Sequence, residues 1–311
     1  MRIVFFGSPE SAIPSLQKIL EEGHTVELII TQPDRPRGRG KKLTASPVKN
    51  FALDKNIPLF QPQRIRKEPT ALDKLRDADP DINVVVAYGQ IIPASLIYLP
   101  KYNSINLHFS LLPKYRGASP VQWAILNGEH TTGLTIFELN EKMDEGDILA
   151  QREIKILPYE KAFELEVRLA VEGADLLVET IHKIDTLEPQ RQNHAQATYA
   201  RLIRKEDGLI DWSDDAISVE RKVRAFSPWP SAFTYFRGKR LKILEGRAVM
   251  SVPPSSAKPG EITEAKKDGI HVGCGDGKIF TINHLQPENR KAMSAHSFSL
   301  GTNIKPGEFL E

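Results

Sequence analysis

A chain of 311 residues with 40% hydrophobic side chains is long enough for about two domains, each able to bury a core. Its 42 Lys and Arg against 40 Asp and Glu leave a net charge of +2, too small for a general polyanion binder, so any nucleic-acid surface must be local. The single cysteine, Cys274, excludes an internal disulfide and a multi-cysteine metal site and suits a reducing cytoplasm. The longest apolar stretch, 82–100, is interrupted by Asn83, Gln90 and Pro93 and is no bilayer span.

Residues 2–6, Arg-Ile-Val-Phe-Phe, form a short strand without the flanking regions of a signal peptide. It ends at Gly7-Ser8-Pro9, where Gly7 reads as a tight-turn residue. Leu16, Ile19 and Leu20 recur at helical spacing until Gly23, and Val26–Ile30 is the next strand. Strand, turn, helix and strand make a right-handed parallel crossover. One glycine at the turn falls short of the dinucleotide fingerprint.

Residues 33–49 break the pattern. Arg35, Arg37, Arg39, Lys41, Lys42 and Lys49 face one acid, Asp34, on a Gly/Pro-rich backbone almost free of apolar side chains. The expectation is an exposed, mobile loop that either is a solvated insertion or seeks an anion. Ser46 and Pro47 then supply the N-cap and first position of a helix.

Residues 57–60 read as a third strand, 70–78 as a helix, and 82–88 as a central, near-continuous β-branched strand. In 104–110, Ile105, Leu107 and Phe109 alternate with Asn106, His108 and Ser110, which places an amide, an imidazole and a hydroxyl on one face. The chain then turns through Pro113 and Gly117. In open α/β sheets ligands sit outside the carboxyl ends of the strands, so the ends of 82–88 and 104–109 should line one crevice. A helix over 119–126, a strand over 131–139 and an acidic loop, 140–148, follow. That loop lacks the regular ligand spacing of a calcium site. Residues 160–184 form a long amphipathic helix with Leu165, Leu169, Leu176, Leu177 and Ile181 inward.

Residues 187–206 are polar, with few apolar anchors, and read as a linker. Beyond it come short strands at 208–212, 232–237, 240–250, 260–264, 269–274 and 278–285, with one helix at 215–226. Short strands separated by frequent turns suggest a small barrel.

The run 106–117, Asn-Leu-His-Phe-Ser-Leu-Leu-Pro-Lys-Tyr-Arg-Gly, resembles the signature of the 10-formyltetrahydrofolate-dependent formyltransferases, matching every fixed position. Met143-Asp-Glu-Gly-Asp147 is similar to that family's Asp-x-Gly-Asp loop. Phe226-Ser-Pro-Trp-Pro230, Leu285–Met293 and Thr198–Lys205 resemble the C-terminal part of members that act on methionyl-tRNA. Such members carry a basic insertion that small-molecule relatives lack.

The resemblance implies a Rossmann-like, mostly parallel α/β catalytic domain over 1–186, the linker 187–206, and an OB-like β-barrel that binds tRNA over 207–311. It implies catalysis by Asn106, His108 and Asp144, with folate contacts from Ser110, Leu111, Leu112, Pro113, Gln90, Ile91 and Ile92. Leu112-Pro113 should be cis and Arg116 should fix the loop. Arg35, Arg37, Arg39, Lys41 and Lys42 would meet the tRNA. The implied reaction passes the formyl group of 10-formyltetrahydrofolate to methionyl-initiator tRNA, without a metal, in a cytoplasmic monomer. A sugar-nucleotide formyltransferase would share the three catalytic residues without needing 35–42 or the barrel. A non-catalytic tRNA-binding protein would not need those three polar residues at the sheet edge.

Overall fold

The computed structural model describes residues 1–37, 40, 42–249 and 256–311. The chain divides into two compact units. One comprises residues 1–120, 131–155 and 166–201; the other takes 121–130, 156–165 and 202–311.

In the first unit β1 (Arg2–Gly7) leads through α1 (Ile13–Glu21) to β2 (Thr25–Ile30). The short pair β3 (Arg35–Arg37) and β4 (Lys42–Thr44) precedes α2 (Pro47–Asp54), β5 (Leu59–Phe60), α3 (Ala71–Ala78), β6 (Ile82–Val86), α4 (Ala94–Ile97) and β7 (Ser104–His108). After β8 (Arg116–Gly117) the chain passes through α5 (Pro120–Leu126), whose residues from 121 belong to the second unit, and returns in β9 (Thr131–Glu138), β10 (Ile148–Lys155), α6 (Ala162–His182), which joins this unit from residue 166, and β11 (Tyr199–Ala200). The main sheet has seven strands in the order β10-β9-β7-β6-β1-β2-β5. The strands from β5 to β7 are parallel, and β9 and β10 add antiparallel at the β7 edge. The Val, Ile and Phe side chains of β1 and β6 are buried, as strands covered by helices require.

β6 and β7 are parallel neighbours, so their carboxyl ends, leading into 87–92 and 109–113, open on the same edge. Ala87 (φ 48°) and Gly89 (φ 78°) turn the chain out of β6, which stops that strand two residues short of expectation. Gly7 has no left-handed φ. It pairs with Val86, and a Cβ there would lie 2.6 Å from the Phe5 ring and 3.0 Å from the Val86 carbonyl. Close packing, not a turn, demands that glycine. β10 has no counterpart among the sequence expectations, because its buried positions do not alternate cleanly.

The flanks of the basic stretch pair as the antiparallel strands β3 and β4, where a structureless loop was expected. Lys49 belongs to α2 and grips both Asp34 oxygens at 2.8 and 2.9 Å. Residues 187–201 are packed into the first unit: β11 pairs with β8, and Gln192 and Ala200 are buried. This departs from the expected linker, because polar hydrogen bonds hold the segment where apolar anchors are few.

The second unit adds α7 (Ala216–Ala225) to β12 (Ala232–Phe236), β13 (Lys239–Val249), β14 (Ile262–Lys266), β15 (Gly269–Gly273), β16 (Ile279–Pro287) and β17 (Met293–Ser294), then α8 (Ala295–Thr302). The antiparallel order is β12-β13-β16-β15-β14, with β17 on β16. The final residues join the two edge strands. Tyr235 and Glu311 exchange backbone hydrogen bonds beside β12, while Ile262 donates to Glu308 and Leu310 to Gly260 beside β14. That seam closes the sheet into a barrel around Trp212, Phe280, Ile282 and Leu310. Residues 208–212 form no strand; only Leu209 bridges Phe233. α8 was not anticipated, since its Leu300 points outward and its apolar period is weak.

Candidate active site

β7 delivers Asn106 and His108, two residues apart, to one face. His108 is buried at 7% exposure. Its Nε2 lies 3.0 Å from the Tyr115 carbonyl, which can only accept, so Nε2 carries a proton and, in the neutral ring, Nδ1 is the acceptor. Nδ1 stands 3.9 Å from Asp144 Oδ2, too far for a direct hydrogen bond. Asp144 Oδ2 in turn accepts the Gly117 N–H at 2.7 Å. The Asn106 side chain is half-buried and makes no hydrogen bond among the described residues. The structure thus brings His108 and Asp144 together and sets Asn106 on the same face of β7 as His108.

Loop geometry explains the arrangement. Tyr115 and Asp144 both adopt left-handed backbone conformations (φ 60° and 53°), which non-glycine residues reach only when neighbours hold them there. Gly117 (φ 119°) passes so close to β11 that a Cβ would lie 2.6 Å from the Ala200 carbonyl. Gly146 allows the acidic loop to press onto the Glu138 carbonyl, where any Cβ would collide. Burial first, and the Asp147 carboxylate second, push the Glu138 carboxyl above its ordinary range.

Among the expected folate contacts, Leu112-Pro113 is cis. The backbone of this turn is largely committed internally. Leu112 N–H donates to Thr135 Oγ1 at 3.1 Å, and Gln151 Nε2 donates to the Leu112 carbonyl at 2.8 Å. The Leu111 and Pro113 carbonyls accept from Lys114 and Thr198. Ser110 Oγ donates to the Lys114 carbonyl at 2.7 Å. The Leu112 N–H and the carbonyls of this turn are therefore engaged within the chain. On the adjoining 89–92 segment, by contrast, backbone N–H groups have no partner among the described residues. Ile91 is exposed and Ile92 buried. The Gln90 side chain is occupied with Ile65 N at 2.8 Å and braces the neighbouring loop. Tyr88 is buried against Phe6 and its phenol is pushed up by burial.

Of the basic residues, Arg35 is exposed and donates to Gln32 at 3.0 Å. Arg37 and Lys42 are in β3 and β4, while Arg39 and Lys41 lie outside the described residues. Glu145, Gln192 and His194 were not singled out from sequence. They gather around the buried Arg116 guanidinium and border a cavity of about 410 Å³, together with Asn140, Lys142 and Arg191. The only signal for them was Arg116 itself, since a buried cation needs partners. No cluster of metal-ligating side chains occurs among the described residues.

A mostly parallel α/β sheet presents an amide, an imidazole and a carboxylate beside a folded-back loop, the build of a Rossmann-like enzyme. Residues 1–181 match the formyl transferase family and 202–303 its C-terminal domain, and the chain belongs to that family. The methionyl-tRNA formyltransferase of Geobacter metallireducens is 44% identical over 309 residues, 99% of this chain and 97% of the relative. That of Acetivibrio thermocellus is 43% identical over 312 residues, 100% of this chain and 99% of the relative. Among solved structures, the sugar 3N-formyl transferase WlaRD superposes with a TM-score of 0.67 at 21% identity, covering 94% of this chain and 99% of that one. HypX from Aquifex aeolicus in complex with tetrahydrofolic acid gives 0.63 at 20% identity over 96% of this chain. The chain spans about half the length of HypX, 47%. At those identities the likeness is one of fold.

Proposed function

We infer that this chain transfers the formyl group of 10-formyltetrahydrofolate to the α-amino group of methionyl-initiator tRNA. The observation that carries the reading is the full-length match at 41–44% identity to methionyl-tRNA formyltransferases, joined to the grouping of Asn106, His108 and Asp144 at the sheet edge.

The amine of an aminoacyl ester titrates at or below the ~7.7–8.0 of a free α-amine, so a neutral nucleophile is present at cellular pH and no enzyme nucleophile is needed. Its nitrogen attacks the formyl carbon; the new C–N bond forms as the carbonyl π pair moves onto oxygen. The Asn106 amide, unengaged among the described residues, donates to that oxyanion, a contact worth roughly 3–4 kcal/mol in comparable sites. The attacking nitrogen must lose a proton and N10 must gain one. With Nε2–H fixed on Tyr115, His108 works from Nδ1, and the 3.9 Å gap to Asp144 admits an amine or a water bonded to both. The proton passes through that gap to N10 as its bond to the formyl carbon breaks, giving tetrahydrofolate and formylmethionyl-tRNA. The N–H groups of 89–92, without a partner among the described residues, suit a pterin ring, and the side chains of 110–113 its flank.

Formylation of charged initiator tRNA occurs where translation starts, so the protein works in the cytoplasm. No helix among the described residues is long and apolar enough to cross a membrane. The test is incubation with formyl-labelled 10-formyltetrahydrofolate and, separately, charged initiator tRNA, uncharged tRNA, free methionine and an amino-sugar nucleotide. Label should appear on the charged tRNA alone. Label on the amino sugar instead would replace this reading with the small-molecule one.

A further inference from the structure

Arg116 is buried to 1% exposure, which is costly for a guanidinium unless its donors are met. Its Nε and Nη2 donate to Gln192 Oε1 at 3.1 and 2.6 Å, its Nη2 lies 3.0 Å from His194 Nδ1, and its Nη1 is 3.5 Å from Glu145 Oε1. Gln192 is itself buried at 5% exposure. With Oε1 committed to Arg116, its amide orientation is set, and Nε2 donates to the carbonyls of Asp144 (2.9 Å) and Gly146 (2.7 Å).

One side chain therefore ties together the two backbone segments that hold the reacting groups. Segment 115–117 supplies the carbonyl at His108 Nε2 and the N–H at Asp144 Oδ2. Segment 144–146 carries Asp144 in its left-handed conformation. Such a backbone persists only when its surroundings over-determine it, and the bond from Gln192 to Asp144's own carbonyl does so.

We propose that Gln192 is a positioning residue for formyl transfer, holding the Asp144 carboxylate opposite His108 Nδ1. The proposal rests on the function inferred above, and Gln192 acts through Asp144 without touching substrate. Gln192→Glu separates its two jobs: the carboxylate still accepts from Arg116 but has no N–H for the loop carbonyls.

The experiment uses the full chain, with 10-formyltetrahydrofolate and charged initiator tRNA. Gln192→Glu should lower kcat by about 10- to 100-fold, the scale of a small misplacement of a catalytic group. The KM for the folate should stay within about twofold. In an Asp144→Asn background the same substitution should cost no more than about twofold further, because the two act as a unit. Amide exchange at Gly117, whose N–H binds Asp144, should accelerate in Gln192→Glu. If Gln192→Glu does not fold, Gln192→Asn, one methylene short of the carbonyls, is measured the same way. Wild-type kcat, a full multiplicative loss on Asp144→Asn, or unchanged Gly117 exchange would each overturn the proposal. A wild-type protein that formylates nothing would instead defeat the functional reading, and Gly117 exchange would then decide the placement of Asp144 alone.

Discussion

His108 has a different neighbour on each nitrogen, and that asymmetry makes the residue-scale predictions specific. Asn106→Ala and His108→Ala should each reduce kcat by about 10²-fold or more with little change in folate affinity, since their contacts mature in the transition state. Single-turnover rates beside folate titrations check this; rapid turnover by either variant would remove it from the mechanism. Asp144→Asn keeps the size of the side chain and should fold, yet lose activity comparably. Cys274 is buried in the other unit. Burial, with the Asp276 carboxylate second, pushes its thiol up to about 12. A raised thiol contributes stability that is full below its unfolded pKa, near ~8.5, and is lost as pH rises from there towards about 12. The destabilisation caused by Cys274→Ala should accordingly shrink between pH 8 and 10.5 in urea titrations. Asn106, His108 and Asp144 were legible because two follow strand alternation and all three fall in a recognisable pattern. Gln192 was not, because its partner Arg116 is 76 residues away in sequence and a polar residue in a polar stretch reads as solvated.

Elements show the same division between local and distant causes. The N-cap of α2 was readable from Ser46-Pro47, and Ser46 Oγ does accept the Lys49 N–H at 3.0 Å. β7 declared itself by period two. β10 and the packing of 187–201 did not, being fixed by partners across the sheet and by side-chain amides. The acidic loop is the element most tightly constrained by shape: Gly146→Ala must move it off the Glu138 carbonyl and displace Asp144 with it. A loss of about 10²-fold in kcat with native circular dichroism is expected, and an active Gly146→Ala would show that the loop's position is immaterial. The basic stretch calls for a contrast of two lysine- or arginine-to-alanine changes. Lys49 is bound to Asp34, and with Gln61 it holds that carboxyl below its ordinary range. Lys49→Ala should then leave the salt dependence of kcat/KM on charged tRNA unchanged. Arg39→Ala, if its guanidinium meets a phosphate, should reduce that slope by about one, and initiator tRNA should slow tryptic cleavage within 35–42. Equal slopes for the two variants would make the stretch a solvated insertion.

On the scale of the whole molecule, each unit has its own sheet and core, and the barrel depends on residues about 50 positions beyond its edge strand β14. Short strands and turns made a barrel readable, but its closure was not, because Phe309 and Leu310 bridge Glu261 and Phe236 as single pairs rather than as a strand. Leu310 is buried among the core side chains, so Leu310→Ala should cost about 2–5 kcal/mol. Deleting 307–311 removes in addition the backbone bonds to Tyr235, Gly260 and Ile262 and leaves two sheet edges unpaired, a liability for association. Trp212 reports the event: its Nε1 donates to Thr234 Oγ1 at 3.0 Å, and Thr234 Oγ1 donates to the Glu311 carbonyl at 2.7 Å. The deletion breaks that relay and should red-shift and quench the tryptophan emission. With Asn106, His108 and Asp144 all in the other unit, the deleted protein should still bind folate while its kcat/KM for charged tRNA falls. Unaltered emission and an unaltered thermal midpoint after deletion would mean the terminal residues do not close the barrel in solution.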